Sequence, residues 1–106
     1  MHVLALAIDL RLPACHSLKE KRAVLRPIVD GIRNRYPVAA AETAHQDQWQ
    51  RAEVGVAAVS SSAKVVREVV DGVERFVWSF PEVEVLGARR FWAEDDEDAD
   101  EWEGTR

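Results

Sequence analysis

The chain has 106 residues, 47% hydrophobic and 31% charged, with a formal net charge of −5, which suits one domain with one core. No apolar run approaches the roughly 20 residues a membrane helix needs. Met1–Asp9 is too short and lacks the basic lead-in for a signal peptide, and a lone Cys15 excludes an internal disulfide, so a reducing cytoplasm is the expected compartment. The charge is segregated: residues 94–106 hold eight acids and one base, Arg106, while residues 1–93 hold 13 Lys and Arg against 11 Asp and Glu. A body at +2 lacks the strong basicity of a typical nucleic-acid binder.

Residues 3–12 alternate, with Leu4, Leu6, Ile8, Leu10 and Leu12 on one side and Val3, Ala5, Ala7, Asp9 and Arg11 on the other. That period predicts a strand with one deeply buried face. Pro13 stops it, having no N–H for a ladder. Ser17 then reads as a helix N-cap, and Glu20 three residues on completes a capping box. Leu18, Leu25, Ile28, Val29, Ile32 and Tyr36 share about one third of the helix circumference and face the core. Pro27 sits inside this helix, where it removes a hydrogen bond and invites a kink or a division.

Tyr36-Pro37 ends the helix, and the small apolar run Val38–Ala44 predicts a second strand. His45–Gln50 is a polar connection carrying Trp49. Residues 51–60 give a third strand with Ala52, Val54, Val56 and Ala58 on one side. Ser60-Ser61-Ser62 offers caps for a second helix, whose core face is Val65, Val66, Val69, Val70, Val73, Phe76 and Val77. Its other face allows Lys64–Glu68, Arg67–Asp71 and Asp71–Arg75 pairs at i,i+4. After Pro81, Val83, Val85 and Phe91 alternate with charged or small residues in a fourth strand over 82–92. The acidic segment 94–106 has no periodicity and little apolar surface besides Trp102, so it is expected to be a disordered tail to a domain of residues 1–93.

The order β-α-β-β-α-β with short connections and right-handed crossovers predicts an α+β, ferredoxin-like sandwich: a four-stranded antiparallel sheet with both helices on one face. That topology gathers Cys15, His16, Lys19, Lys21, Arg22, His45, Asp47 and Trp49 at one pole. It puts the tail and the Arg33/Arg35 end of helix one at the other.

Placed on this frame, Ser17-Leu18-Lys19-Glu20-Lys21-Arg22, Val38 through Glu42, and His45 through Gly55 resemble the YlxP-like family of small bacterial proteins, a domain of unknown function. The resemblance covers about residues 1–80. Ala39-Ala40-Ala41 and the acidic tail depart from it. It implies a ferredoxin-like domain and, through the neighbourhood of translation genes, an association with RNA or ribosomal components. It carries over no catalytic residues.

The residues themselves offer several sites. Lys19, Arg22, Arg26 and Arg33 form an exposed basic stripe, with Asp30 interrupting it. Lys19 and Arg22 oppose the helix macrodipole by roughly 0.3–1 kcal/mol each. A helix N-terminus with free N–H groups beside them would suit an anion such as RNA phosphate, and Trp49 could stack a base. The bland reading is a solvated helix face. Lys21 points to the core side, so its ammonium needs an acid, with Glu42 or Asp47 in reach. Cys15, His16, His45 and Asp47 have zinc-type donors but no paired ligand spacing, so no metal or other cofactor is expected. No nucleophile triad, Gly-rich phosphate loop or paired carboxylates point to an enzyme, and a metal-dependent enzyme is the remotest alternative. Base stacking on the sheet is not expected either, because strand one opens Val3, Ala5 and Ala7, and residues 51–60 hold no aromatic. The same small apolar face is a candidate homodimer surface. The first expectation is therefore an RNA- or ribosome-associated binding module, and the second a homodimeric scaffold.

Overall fold

The computed structural model describes residues 1–93. The expectations placed on 94–106, including disorder and the role of Trp102, lie outside the described residues. The elements are β1 (His2–Arg11), α1 (Leu18–Arg35), β2 (Val38–Ala44), β3 (Arg51–Ser60), α2 (Ala63–Trp78) and β4 (Glu84–Ala93). The strands form one antiparallel sheet in the order β2-β3-β1-β4. The two longest pairings flank β1, so the most apolar strand lies inside the sheet. This is the ferredoxin-like βαββαβ arrangement.

One core lies between sheet and helices. Leu4, Leu6, Ile8 and Leu10 of β1 and Ala52, Val54, Val56 and Ala58 of β3 share it with Leu25, Ile28 and Ile32 of α1 and Val66, Val70, Val73 and Val77 of α2. Val65 is 45% exposed and falls outside this face. The helices meet where Gly31 faces the Phe76 ring: a Cβ at Gly31 would stand 2.5 Å from Phe76 Cζ. The Tyr36 hydroxyl donates to the Gly72 carbonyl at 3.0 Å, and Arg35 lies 4.6 Å over the Phe76 ring.

Ser17 caps α1, its Oγ accepting from Glu20 N at 3.0 Å. The Glu20 carboxylate reaches one residue further back than a simple capping box, accepting from His16 N at 3.2 Å. Pro27 does not divide the helix, which runs unbroken from Leu18 to Arg35 with Pro27 on its solvent side. A proline ring turned to water costs the hydrogen bond but displaces no packing. Ser62 is the cap of α2.

Two expectations about α2 and β4 are corrected. Of the i,i+4 pairs only Lys64–Glu68 forms, at 3.9 Å. Asp71 is taken by Arg90 of β4, whose Nη2 lies 2.8 Å from Asp71 and 3.0 Å from Glu74. From the sheet, Arg90 bonds two carboxylates of α2 at once, whereas Arg67 and Arg75 form no ion pair among the described residues. Arg90 thus ties α2 to the sheet edge.

The alternation Val83, Val85, Phe91 does not hold along β4. Asp9 pairs with Gly87 and Leu10 with Val85, so Leu86 is an extra residue in a β-bulge. One inserted residue exchanges the two faces of everything beyond it. Val83 is buried, whereas Phe91 turns to the open face of the sheet and is 50% exposed. The open face therefore does carry an aromatic side chain.

Candidate functional site

The loop after β1, the start of α1 and the β2–β3 hairpin meet at one pole. Leu12 N donates to Gln50 O at 3.0 Å. The Gln50 side-chain amide donates to the carbonyls of Cys15 at 3.1 Å and Pro13 at 3.4 Å. His45 supplies the turn, holding a left-handed backbone at φ 65, a conformation that His tolerates better than branched residues do. Its own side chain stays near Gln48, with Nδ1 3.4 Å from Nε2.

Lys21 locks this pole. Its side chain is 2% exposed, and Nζ lies 2.7 Å from Glu42 Oε2 while donating to the His45 carbonyl at 2.6 Å. Glu42 Oε2 is sealed from water and has no other partner. A buried ammonium needs both an opposite charge and further acceptors, and here one residue of α1 draws the first from β2 and the second from the turn that follows it. Asp47, the other acid in reach by sequence, forms no ion pair among the described residues. Arg33 performs a similar act at the other end of α1. Its Nε and Nη2 donate to the Ala40 carbonyl at 2.9 and 2.6 Å, which covers the outer edge of β2.

Lys19, Arg22 and Arg26 stand exposed on the outer side of α1 and take part in no ion pair among the described residues. Asp30 is turned to Arg33, 3.5 Å away. Lys19, Arg22, Arg26 and Asp30 line a shallow depression with Ala23 and Pro27. At the helix N-terminus beside them Ser17 Oγ takes one N–H donor, that of Glu20, and the Glu20 carboxylate, bonded to His16 N, brings a negative charge to the spot that opposes an anion. Trp49 is 51% exposed on the hairpin.

Cys15 is buried. Desolvation by burial, with Glu20 adding to it and Lys21 opposing it, pushes its thiol above its ordinary value, away from the reactive thiolate. Among the described residues no group of three or more His, Cys, Asp and Glu side chains could hold a metal ion, so the Cys15, His16, His45 and Asp47 set does not converge on one. No described helix is long and apolar enough to cross a membrane.

The sequence match that accompanies this geometry is direct. A family model described as protein of unknown function (DUF503) matches residues 3–90. The chain belongs to the DUF503 family. It is also 45% identical over 76 residues, 72% of its own length and 83% of the relative's, to the uncharacterized protein YlxP of Bacillus subtilis (strain 168). The matched span covers every element described above except the first residue of β1 and the last three of β4. Neither description carries an enzymatic name.

The Gln50 clamp and the Arg33 clamp were not anticipated. Both act on backbone carbonyls, which a sequence does not mark. The bulge at Leu86 has one weak signal, the run Val85-Leu86 that breaks alternation just before Gly87.

Proposed function

We propose that this DUF503 chain is a small binding module that holds a polyanion, RNA or an RNA-bearing ribosomal component, along the exposed side of α1. The observation that carries this reading is that Lys19, Arg22 and Arg26 share one helix face without ion-pair partners among the described residues, while the nearby Asp30 is turned to Arg33. Three uncommitted cations on a rigid element can each meet a phosphate without first breaking a contact. Trp49, half exposed at the same pole, offers a stacking surface for an unpaired base.

Phosphate contacts of this kind make affinity fall steeply with salt. Binding of the full chain to total RNA or purified ribosomal particles is measured between low and physiological salt. The triple variant Lys19→Ala/Arg22→Ala/Arg26→Ala is expected to weaken binding and to flatten the log–log salt slope by about 2–3. Binding that ignores salt, or a triple variant that binds as the parent does, refutes the proposal.

A further inference from the structure

The other side of the sheet has a distinct character. Ala5 and Ala7 of β1, Ala39 and Ala41 of β2 and Ala57 of β3 floor a recess of about 410 Å³, and Phe91 stands at its β4 border. Within the described chain nothing lies over it: Phe91 is 50% and Val59 60% exposed. The floor is lowest over Gly55, where the Thr43 side chain leans in to within 2.6 Å of where a Cβ would be. The face is therefore asymmetric across its width. A ring projects at one edge, and the small side chains of Ala39, Ala41 and Thr43 line the opposite edge.

We propose that this face receives a second copy of the same chain, with the two sheets packed about a two-fold axis running along the strands. Such an axis lays β4 of each copy over β2 of the other. Each Phe91 then seats on Ala39 and Ala41 of its mate, and Ala5 meets Ala57 across the centre. A projecting group and a recess at opposite edges of one patch are what a self-complementary interface requires.

Charge supports an apolar occupant. Arg89 Nη2 lies 2.7 Å from Glu53 Oε1, and Thr43 Oγ1 donates to Glu53 Oε2 at 3.0 Å, a polar bar crossing the sheet beside the recess. Both carboxylate oxygens are satisfied within one copy, so covering the bar strands no charge. A nucleic acid would find the nearest cation already committed and two acids, Asp9 and Glu53, at the border. Area is sufficient. Four strands about 19 Å wide and about 33 Å long give about 600 Å² per copy, hence about 1,200 Å² for the pair, which meets the lower bound of stable specific interfaces. α1 and its cations lie on the opposite side of the sheet, so this inference and the proposed polyanion contact stand or fall separately.

The test is the mass of the full chain by sedimentation at about 0.1 mM, well above the dissociation constant expected of a micromolar dimer. Twice the 12.0 kDa of one chain is expected. Ala57 is exposed in the single chain, so Ala57→Glu leaves the fold intact by circular dichroism and shifts the mass to that of a monomer. A second variant serves even if that one unfolds. Ala39→Cys/Phe91→Cys in a Cys15→Ala background places thiols on strands about 14 Å apart, too far to bridge within one chain. Oxidation is expected to give a reducible covalent dimer. A monomer at about 0.1 mM, a dimer that survives a folded Ala57→Glu, or no covalent dimer on oxidation overturns the proposal.

Discussion

Removing the carboxylate of Glu42 tests the pole where α1 meets the hairpin. With Glu42→Ala the Lys21 ammonium, 2% exposed, keeps only the His45 carbonyl at 2.6 Å. Breaking a buried pair from one side costs about 3–5 kcal/mol. Glu42 is 26% exposed, and a lysine tip can shift toward water, so the low end, about 3 kcal/mol, is expected. In a domain of this size that lowers Tm by about 12–20 °C, against a total stability of about 5–15 kcal/mol. Lys21→Met behaves differently. It keeps the volume but takes the partner from Glu42 Oε2, which is sealed from water; the Glu42 side chain, 26% exposed, can turn that oxygen toward solvent, for a loss of about 1–2 kcal/mol. The double variant Lys21→Met/Glu42→Ala strands no charge, so it is expected to be more stable than Glu42→Ala alone, with a coupling of about 2 kcal/mol. Urea unfolding followed by circular dichroism measures all four corners of the cycle. If Glu42→Ala costs under about 0.5 kcal/mol, or if the two single losses simply add, Lys21 does not need its acid and the reasoning fails.

Arg33→Lys is expected to lose about 1 kcal/mol and to speed amide exchange along β2, because one ammonium cannot reproduce the two-pronged contact on the Ala40 carbonyl; unchanged exchange over Val38–Glu42 counts against it. Gly31→Ala gains up to about 1 kcal/mol of helix propensity, yet its Cβ would sit 2.5 Å from Phe76. A net loss of about 1–2 kcal/mol is expected from overpacking, and a stabilised variant would show that the helices part freely. The Cys15 thiol, held above its ordinary value by burial, keeps its proton longer in the folded chain than in the unfolded one. Its contribution to stability is therefore full below the unfolded thiol pKa and declines as pH rises through the folded one. Maleimide labelling near neutral pH should be far slower than for a free thiol, and fast labelling without denaturant would contradict the burial.

Much of the architecture was legible in order along the chain. The alternation of β1 and the 3.6-residue period of both helices name the faces that leave water. Short connections between six elements leave few ways to cover one sheet. The Ser17 cap was readable, and the cap of α2 was narrowed to Ser60-Ser61-Ser62, of which the structure uses Ser62, since a cap is a contact between residues three apart. The candidate cations Lys19, Arg22 and Arg26 needed only the azimuth of one helix to be grouped.

What the chain order could not decide are contacts between residues far apart in sequence. Asp71 had two arginines within one turn of α2, yet bonds Arg90 across 19 residues. The helix start acquired a carboxylate beside it, that of Glu20, whose reach to His16 depends on the path of the preceding loop. Phe91 was counted from Val83 and Val85, but a single extra residue at Leu86 turned it to the other side of the sheet. Local periodicity fixes which positions alternate because it arises from each residue's own backbone geometry. Partner choice and strand parity past a bulge depend on which strand lies alongside, and only the assembled sheet determines that.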